Sequence, residues 1–221
     1  MNNMERVMQV PEWIQKDFKQ SESSWGEAHL ALPKMLRRRL DDEPLSGAEI
    51  GVAYGGMSAT LCSEFGKLEL LCVDPYIEYD DAMSRPQEEM DQMHDFTTNR
   101  LMGLFTGRAL VMRVTSMEAV QIAEDEYFDF VYVDGCHTYE ATIEDVRHWW
   151  SKVKEGGVLC GDDFGADHPG VAQAVKEFSK EVEVPYEVDI PTLWSMKKHT
   201  SGMRCAVLNE GELVTSQAAN K

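Results

Sequence analysis

The segment Glu49-Ile50-Gly51-Val52-Ala53-Tyr54-Gly55-Gly56-Met57-Ser58 holds the first residues that could do chemistry. Glycines at 51, 55 and 56 let a backbone approach a ligand closely where a strand hands over to a helix, with N–H groups facing the crevice. Gly51, Tyr54, Gly55, Gly56 and Ser58 are therefore candidate ligand contacts. The spacing is G-x-x-x-G-G rather than the G-x-G-x-x-G of dinucleotide sites, and the Walker lysine is missing. Neither NAD nor ATP phosphates are indicated. Glu49, just before the first glycine, would repel a pyrophosphate but could accept a hydrogen bond from a ligand amine.

Asp74 follows in Val73-Asp74-Pro75, at the expected end of the next strand. An acid there, one βα unit after a glycine turn, is placed to take both ribose hydroxyls of an adenosine. A ribose acceptor and a glycine turn without a phosphate site fit S-adenosylmethionine (SAM). Thr115-Ser116-Met117, after the third strand, would then lie beside the adenine, with Ser116 available for a hydrogen bond.

The elements that must carry these residues alternate between short apolar runs and helix-period segments, the pattern of an α/β sheet with crossover helices. Strands are expected at 48–53, 70–75, 109–115, 128–134 and 158–161, with weaker ones at 186–190 and 193–197. Phe130-Val131-Tyr132-Val133 is apolar throughout, as in a central strand covered on both faces. Helices are expected at 58–65, 88–104, 116–123, 138–153 and 171–182. In the fourth of these, Tyr139, Ile143, Val146, Trp150 and Val153 share one face, and Gly156-Gly157 is read as its end. Residues 1–46 read as a helical extension over the mouth of the sheet, 47–210 as the main domain and 211–221 as a poorly ordered tail. The polar connection 78–87 reads as a lid or a mobile loop.

Lys plus Arg number 21 against 39 for Asp plus Glu, a formal net charge of -18 that argues against nucleic acid or an anionic membrane as partner. Arg37, Arg38 and Arg39 form the one dense basic run, read as a solvated helix end. No apolar run spans a bilayer and residues 1–20 lack a signal-peptide core, so the expected address is the cytoplasm. Five cysteines without a CxxC pair read as reduced, mostly buried thiols. A homo-oligomer is compatible with this reading.

Glu49-x-Gly51 with Gly55, Asp74, the run Phe128-Asp129-Phe130-Val131-Tyr132-Val133-Asp134-Gly135-Cys136-His137-x-Tyr139, and Gly156-Gly157-Val158-Leu159-x-Gly161-Asp162-Asp163 together resemble class I SAM-dependent methyltransferases. More narrowly they resemble the metal-dependent sugar O-methyltransferases of the macrocin and mycinose type. The resemblance covers roughly residues 47–198. It implies a Rossmann-like fold, a seven-stranded, mostly parallel sheet flanked by helices.

The resemblance also implies one divalent cation on Asp134, Asp162 and Asp163, with Asp134 reaching the cofactor as well. Three carboxylates make a hard, all-oxygen site suited to Mg²⁺ or Mn²⁺. Some relatives carry Glu where this chain has Asp162, and others an acid where it has Cys136. The latter difference moves the base role to His137, whose unperturbed pKa is about 6.5. Asp134 and His137 are thus the candidate catalytic residues. The implied reaction is methyl transfer to a sugar or glycan hydroxyl, such as that of a deoxyhexose like rhamnose. A catechol-like acceptor and a catalytically silent SAM-binding module are the alternatives. Trp149 and Trp150 read as core and helix surface, Trp25 and His29 as packing residues with a second reading at the acceptor mouth, and His168 beside Asp167 as a loop residue that could touch substrate.

Overall fold

The computed structural model describes residues 10–24, 26–78, 85–190 and 192–199. Most of the 78–87 connection, the 211–221 tail, Trp25 and Cys205 lie outside the described residues. The elements run α1 (Glu12–Ser24), α2 (Gly26–Arg39), β1 (Ser46–Ile50), α3 (Gly56–Glu64), β2 (Glu69–Val73), α4 (Gln87–Leu104), β3 (Ala109–Met112) and α5 (Ser116–Ile122). They continue with β4 (Phe128–Val133), α6 (Tyr139–Trp149), a single 3₁₀ turn (Trp150–Lys152), β5 (Val153–Gly161), α7 (Pro169–Glu181), β6 (Glu187–Val188) and β7 (Trp194–Lys197).

The seven strands form one sheet in the order β3-β2-β1-β4-β5-β7-β6. The first five are parallel, and β7 pairs antiparallel with β5 and β6. This is the α/β sheet that the alternation of strands and helices predicts, with the seven strands and the Rossmann-like, mostly parallel order that the family resemblance implies. Alternate residues of each strand serve opposite faces. Ala48, Ile50, Val131, Val133 and Leu159 pack with Ile143, Val146 and Trp149 of α6 and with Val171, Val175 and Phe178 of α7. Cys72, Phe130, Tyr132, Val158 and Cys160 face Leu32 and Leu36 of α2, Leu61 and Phe65 of α3 and Leu101 of α4. The central strands are thus buried on both sides. A smaller cluster joins Ile14 of α1 to Tyr54, Tyr76, Met90 and Met93.

Strand ends differ from the sequence expectation by a few residues, and the largest difference lies where the fourth crossover helix meets β5. The fourth crossover helix stops at Trp149, so Trp149 is the fully buried indole while Trp150 is only partly buried. Gly156-Gly157 does not end a helix; both glycines lie inside β5. Gly156 has φ +79°, and a Cβ on Gly157 would sit 2.7 Å from the Asp129 carbonyl oxygen. Phe128 pairs with Val153 and Phe130 with Val158, so two steps along β4 match five along β5. The glycines form a bulge that lets the strands approach, a job that Gly-Gly performs as readily as capping a helix. Lys198 closes the bulge, its N–H donating to the Gly157 carbonyl at 2.8 Å while its carbonyl accepts from Gly156 at 2.8 Å.

The basic run is neutralised on the surface. Arg37 pairs with Glu64, Arg38 with Asp189 and Arg39 with Glu187, which ties the end of α2 to α3 and to the β6 region. Cys62, Cys72 and Cys160 are buried free thiols, and burial pushes all three pKa values up. Among the described residues, no helix is long and apolar enough to cross a membrane.

Gly157→Ala is expected to lower stability by about 1–3 kcal/mol through the clash with Asp129. Gly66→Ala, which meets nothing within 4 Å, is expected to leave it nearly unchanged. Denaturant midpoints for the two variants check the bulge, and equal midpoints would contradict it.

Candidate active site

The strand order reverses between β1 and β4: the chain builds outward from β1 through β2 to β3, then returns to β4 on the other side. Such a reversal is where open α/β sheets place a ligand crevice, at the carboxyl ends of the strands. Gly51 occupies the narrowest point with φ +87°, and a Cβ on it would lie 2.1 Å from the Asp134 carbonyl oxygen. Asp134 in turn donates its N–H to Ile50 at 2.8 Å. Ala53 is held at φ +45° because Thr97 and Tyr76 both donate to its carbonyl, at 2.7 and 2.9 Å. Gly55, at φ +68°, precedes the first turn of α3.

The carboxylate of Asp74 organises this turn. One oxygen accepts from the backbone N–H groups of Val52 and Ala53 at 2.9 and 3.0 Å, the other from Tyr76 at 2.8 Å. Carboxylate oxygens have lone pairs beyond these, so a role in shaping the turn and one in ligand contact are compatible. Glu49 lies under the turn, only 2% exposed, with its carboxyl bonded to the buried hydroxyl of Ser58. Burial pushes its pKa well up, the Ser58 bond opposing. Tyr54 faces α1 and α4, edge-on to Phe18 and Phe96, with its hydroxyl donating to Asp17 at 3.3 Å. Burial pushes its phenol up to about 12.

On the β3 side, Thr115 caps α5 through a reciprocal box with Glu118. Ser116, the first helical residue, donates to Asp145 of α6 and accepts from the indole N–H of Trp149 at 2.8 Å. Met117 is partly buried against the α6 side of the core. Asp145 was not among the sequence candidates. Its signal was an acid one helical turn before Trp149, which becomes visible once the buried stripe of α6 is centred on Thr142, Asp145, Val146 and Trp149.

The acids at the ends of β4 and β5 do not all point one way. Asp134 accepts from the Tyr132 hydroxyl at 3.3 Å. Burial and then the like charges of Asp162 and Asp163 push its carboxyl up to about 7. The Asp162 carboxylate accepts the backbone N–H of Asp163 at 2.9 Å, and its charge acts on His29, whose pKa is lowered chiefly by burial. Asp163, at φ +61°, turns toward α6 and α7, where its carboxylate meets Nε2 of His137 at 2.8 Å and Nε2 of His168 at 3.5 Å. Burial opposes, but the hydrogen bond and charge of His137 and the charge of His168 hold Asp163 below its usual pKa. Among the described residues, His137, Asp163 and His168 are the potential ligand groups whose atoms all lie within 4.8 Å of one another. The three carboxylates Asp134, Asp162 and Asp163 do not form such a set, because adjacent residues at a strand end point to opposite faces.

A family model described as a methyltransferase domain matches residues 48–164, which include the glycine turn, Asp74, Asp134 and the acid pair. The chain belongs to this methyltransferase domain family. It is a SAM-dependent methyltransferase. No curated protein matches the sequence. Solved structures share the methyltransferase's fold at low identity. A protein of Corynebacterium glutamicum has TM-score 0.61 at 12% identity, over 89% of this chain and 94% of the other. A putative caffeoyl-CoA O-methyltransferase from Staphylococcus aureus has TM-score 0.59 at 13%, over 77% and 82%. A TDP-rhamnose 3′-O-methyltransferase of calicheamicin biosynthesis has TM-score 0.55 at 17%, over 77% and 79%.

The elevated carboxyl of Asp134 carries a signed consequence. A pKa raised on folding contributes stability that is complete below the ordinary 3.8 and lost as pH rises through about 7. Asp134→Asn is therefore expected to raise the melting temperature of the ligand-free methyltransferase by several degrees at about pH 8 and by less than half as much at about pH 5. Equal shifts at both values would contradict the crowding of charge at this strand end.

Proposed function

We propose that the enzyme transfers the methyl group of SAM to a hydroxyl of a neutral sugar or glycan, such as a deoxyhexose like rhamnose, with the help of a divalent cation. The observation that carries this reading is the placing of the raised Asp134 carboxyl and of the Asp163–His137 pair at the ends of β4 and β5, beside the strand that leads into the glycine turn. The fold shared with a TDP-rhamnose 3′-O-methyltransferase supports the choice of acceptor.

In this reading the turn at Gly51, Gly55 and Gly56 admits the cofactor's methionyl part, Asp74 takes the ribose hydroxyls, and Ser116 and Met117 border the adenine. Tyr54, Glu49 and Ser58 act from behind by fixing the turn: Glu49 and Ser58 are bonded to each other beneath it. Asp134, Asp162 and Asp163 would hold Mg²⁺ or Mn²⁺ in this reading, which their charge crowding supports; as the structure stands they do not converge on one point, whereas His137, Asp163 and His168 do. When bound, the cation supplies Lewis acidity that lowers the pKa of an acceptor hydroxyl. Asp163 meets Nε2 of His137 at 2.8 Å and so orients the imidazole, which takes a proton from the acceptor in this reading. In this picture α1 borders the mouth, since Phe18 packs edge-on to Tyr54.

Asp162→Asn, or a chelator, is expected to abolish turnover while leaving SAM affinity largely intact, and His137→Ala to lower kcat by about a hundredfold to ten-thousandfold. Methyl transfer measured across neutral glycans and catechols checks the acceptor. Full activity in chelator would remove the cation from the account, and a preference for catechols would replace the sugar.

A further inference from the structure

Asp145 is a charged residue that the proposed chemistry does not use. It is 6% exposed on the buried face of α6, among Ile143, Val146 and Trp149. An apolar side chain would be easier to bury there. What Asp145 does is accept a hydrogen bond from Ser116.

A serine hydroxyl has one proton and two lone pairs. The proton of Ser116 goes to Asp145 Oδ1, and the indole of Trp149, a donor only, occupies one lone pair at 2.8 Å. One lone pair is left, and Ser116 is only partly buried. Toward anything in the crevice this hydroxyl can therefore accept but cannot donate. The same corner holds Gly135: a Cβ built there would lie 4.0 Å from Asp145 Oδ2 and 3.8 Å from the Ile50 carbonyl oxygen. Asp145 and Ser116 thus stand beside the ends of β1 and β4, where the crevice opens.

We propose that Asp145 is a positioning residue that fixes Ser116 as an obligate hydrogen-bond acceptor, and that the pair selects an adenine ring, whose exocyclic amine donates, over a 6-oxopurine, whose exocyclic carbonyl accepts. This rests on the reading that places the cofactor's adenine beside Ser116. Two acceptors facing each other in a partly dry slot leave both unpaired, which is how a polar site rejects an analogue of nearly the same shape.

The test is calorimetric titration of the full chain with S-adenosylhomocysteine and with S-inosylhomocysteine at about pH 8, above the value of about 6 to which burial pushes Asp145. The wild-type enzyme is expected to favour the adenosyl compound by about tenfold or more. Ser116→Ala weakens only the adenosyl compound and brings the ratio within about threefold. Asp145→Leu releases the serine proton for donation, so the inosyl compound gains and the ratio falls to about one or below. Should Asp145→Leu fail to fold, the Ser116→Ala ratio still decides. Variants that weaken both ligands equally, or that keep the wild-type ratio, would overturn the inference while leaving the cofactor reading intact. A wild-type protein that binds neither compound would overturn the cofactor reading itself.

Discussion

The backbone contact between Gly51 and Asp134 is the constraint on which the site depends. A side chain at 51 would occupy the space of the Asp134 carbonyl, so the ends of β1 and β4 can come together only over a glycine. From that contact the glycine turn runs toward β2 and its Asp74, and the acid and imidazole groups run toward β5. Methyl donor and acceptor must meet within a few ångströms for transfer to be fast. A fold that closes β1 onto β4 brings the proposed cofactor and acceptor residues together without a second domain.

Around the contact, charge is arranged unevenly. Glu49 and Asp145 are buried acids, each held by one serine hydroxyl. Asp74 spends its charge on the backbone donors of the turn and so rigidifies it. The charges of Asp162 and Asp163 instead raise the Asp134 pKa, and the imidazoles His137 and His168 meet the carboxylate of Asp163. The net charge of -18 first reads as a reason to exclude polyanions; at the site it becomes an excess of carboxylate over cationic side chains at the ends of β4 and β5.

The sheet was legible in the sequence because buried parallel strands such as Phe128–Val133 are apolar on both faces, and because Gly51 and Gly55 mark a turn with little else to do. Gly156-Gly157 was misleading, since glycine relieves a close strand approach and a helix end by the same lack of a Cβ. Spacing placed Asp162 and Asp163 at a strand end, but the turn of Asp163 toward His137 and His168 goes with its φ of +61°, which no periodicity encodes. The link from His168 to Asp163 depends on where α7 begins, and the link from Asp145 to Ser116 on how α6 packs against α5; both are tertiary facts.

The central claim is that the carboxylates at the ends of β4 and β5 and the methyl donor share one crevice. Nuclear relaxation of an isotopically labelled SAM methyl group, read with Mn²⁺ added to the protein, measures that directly. Strong broadening of the methyl signal that is lost in Asp162→Asn is the result this account predicts; a sharp signal in the presence of bound Mn²⁺ would contradict it.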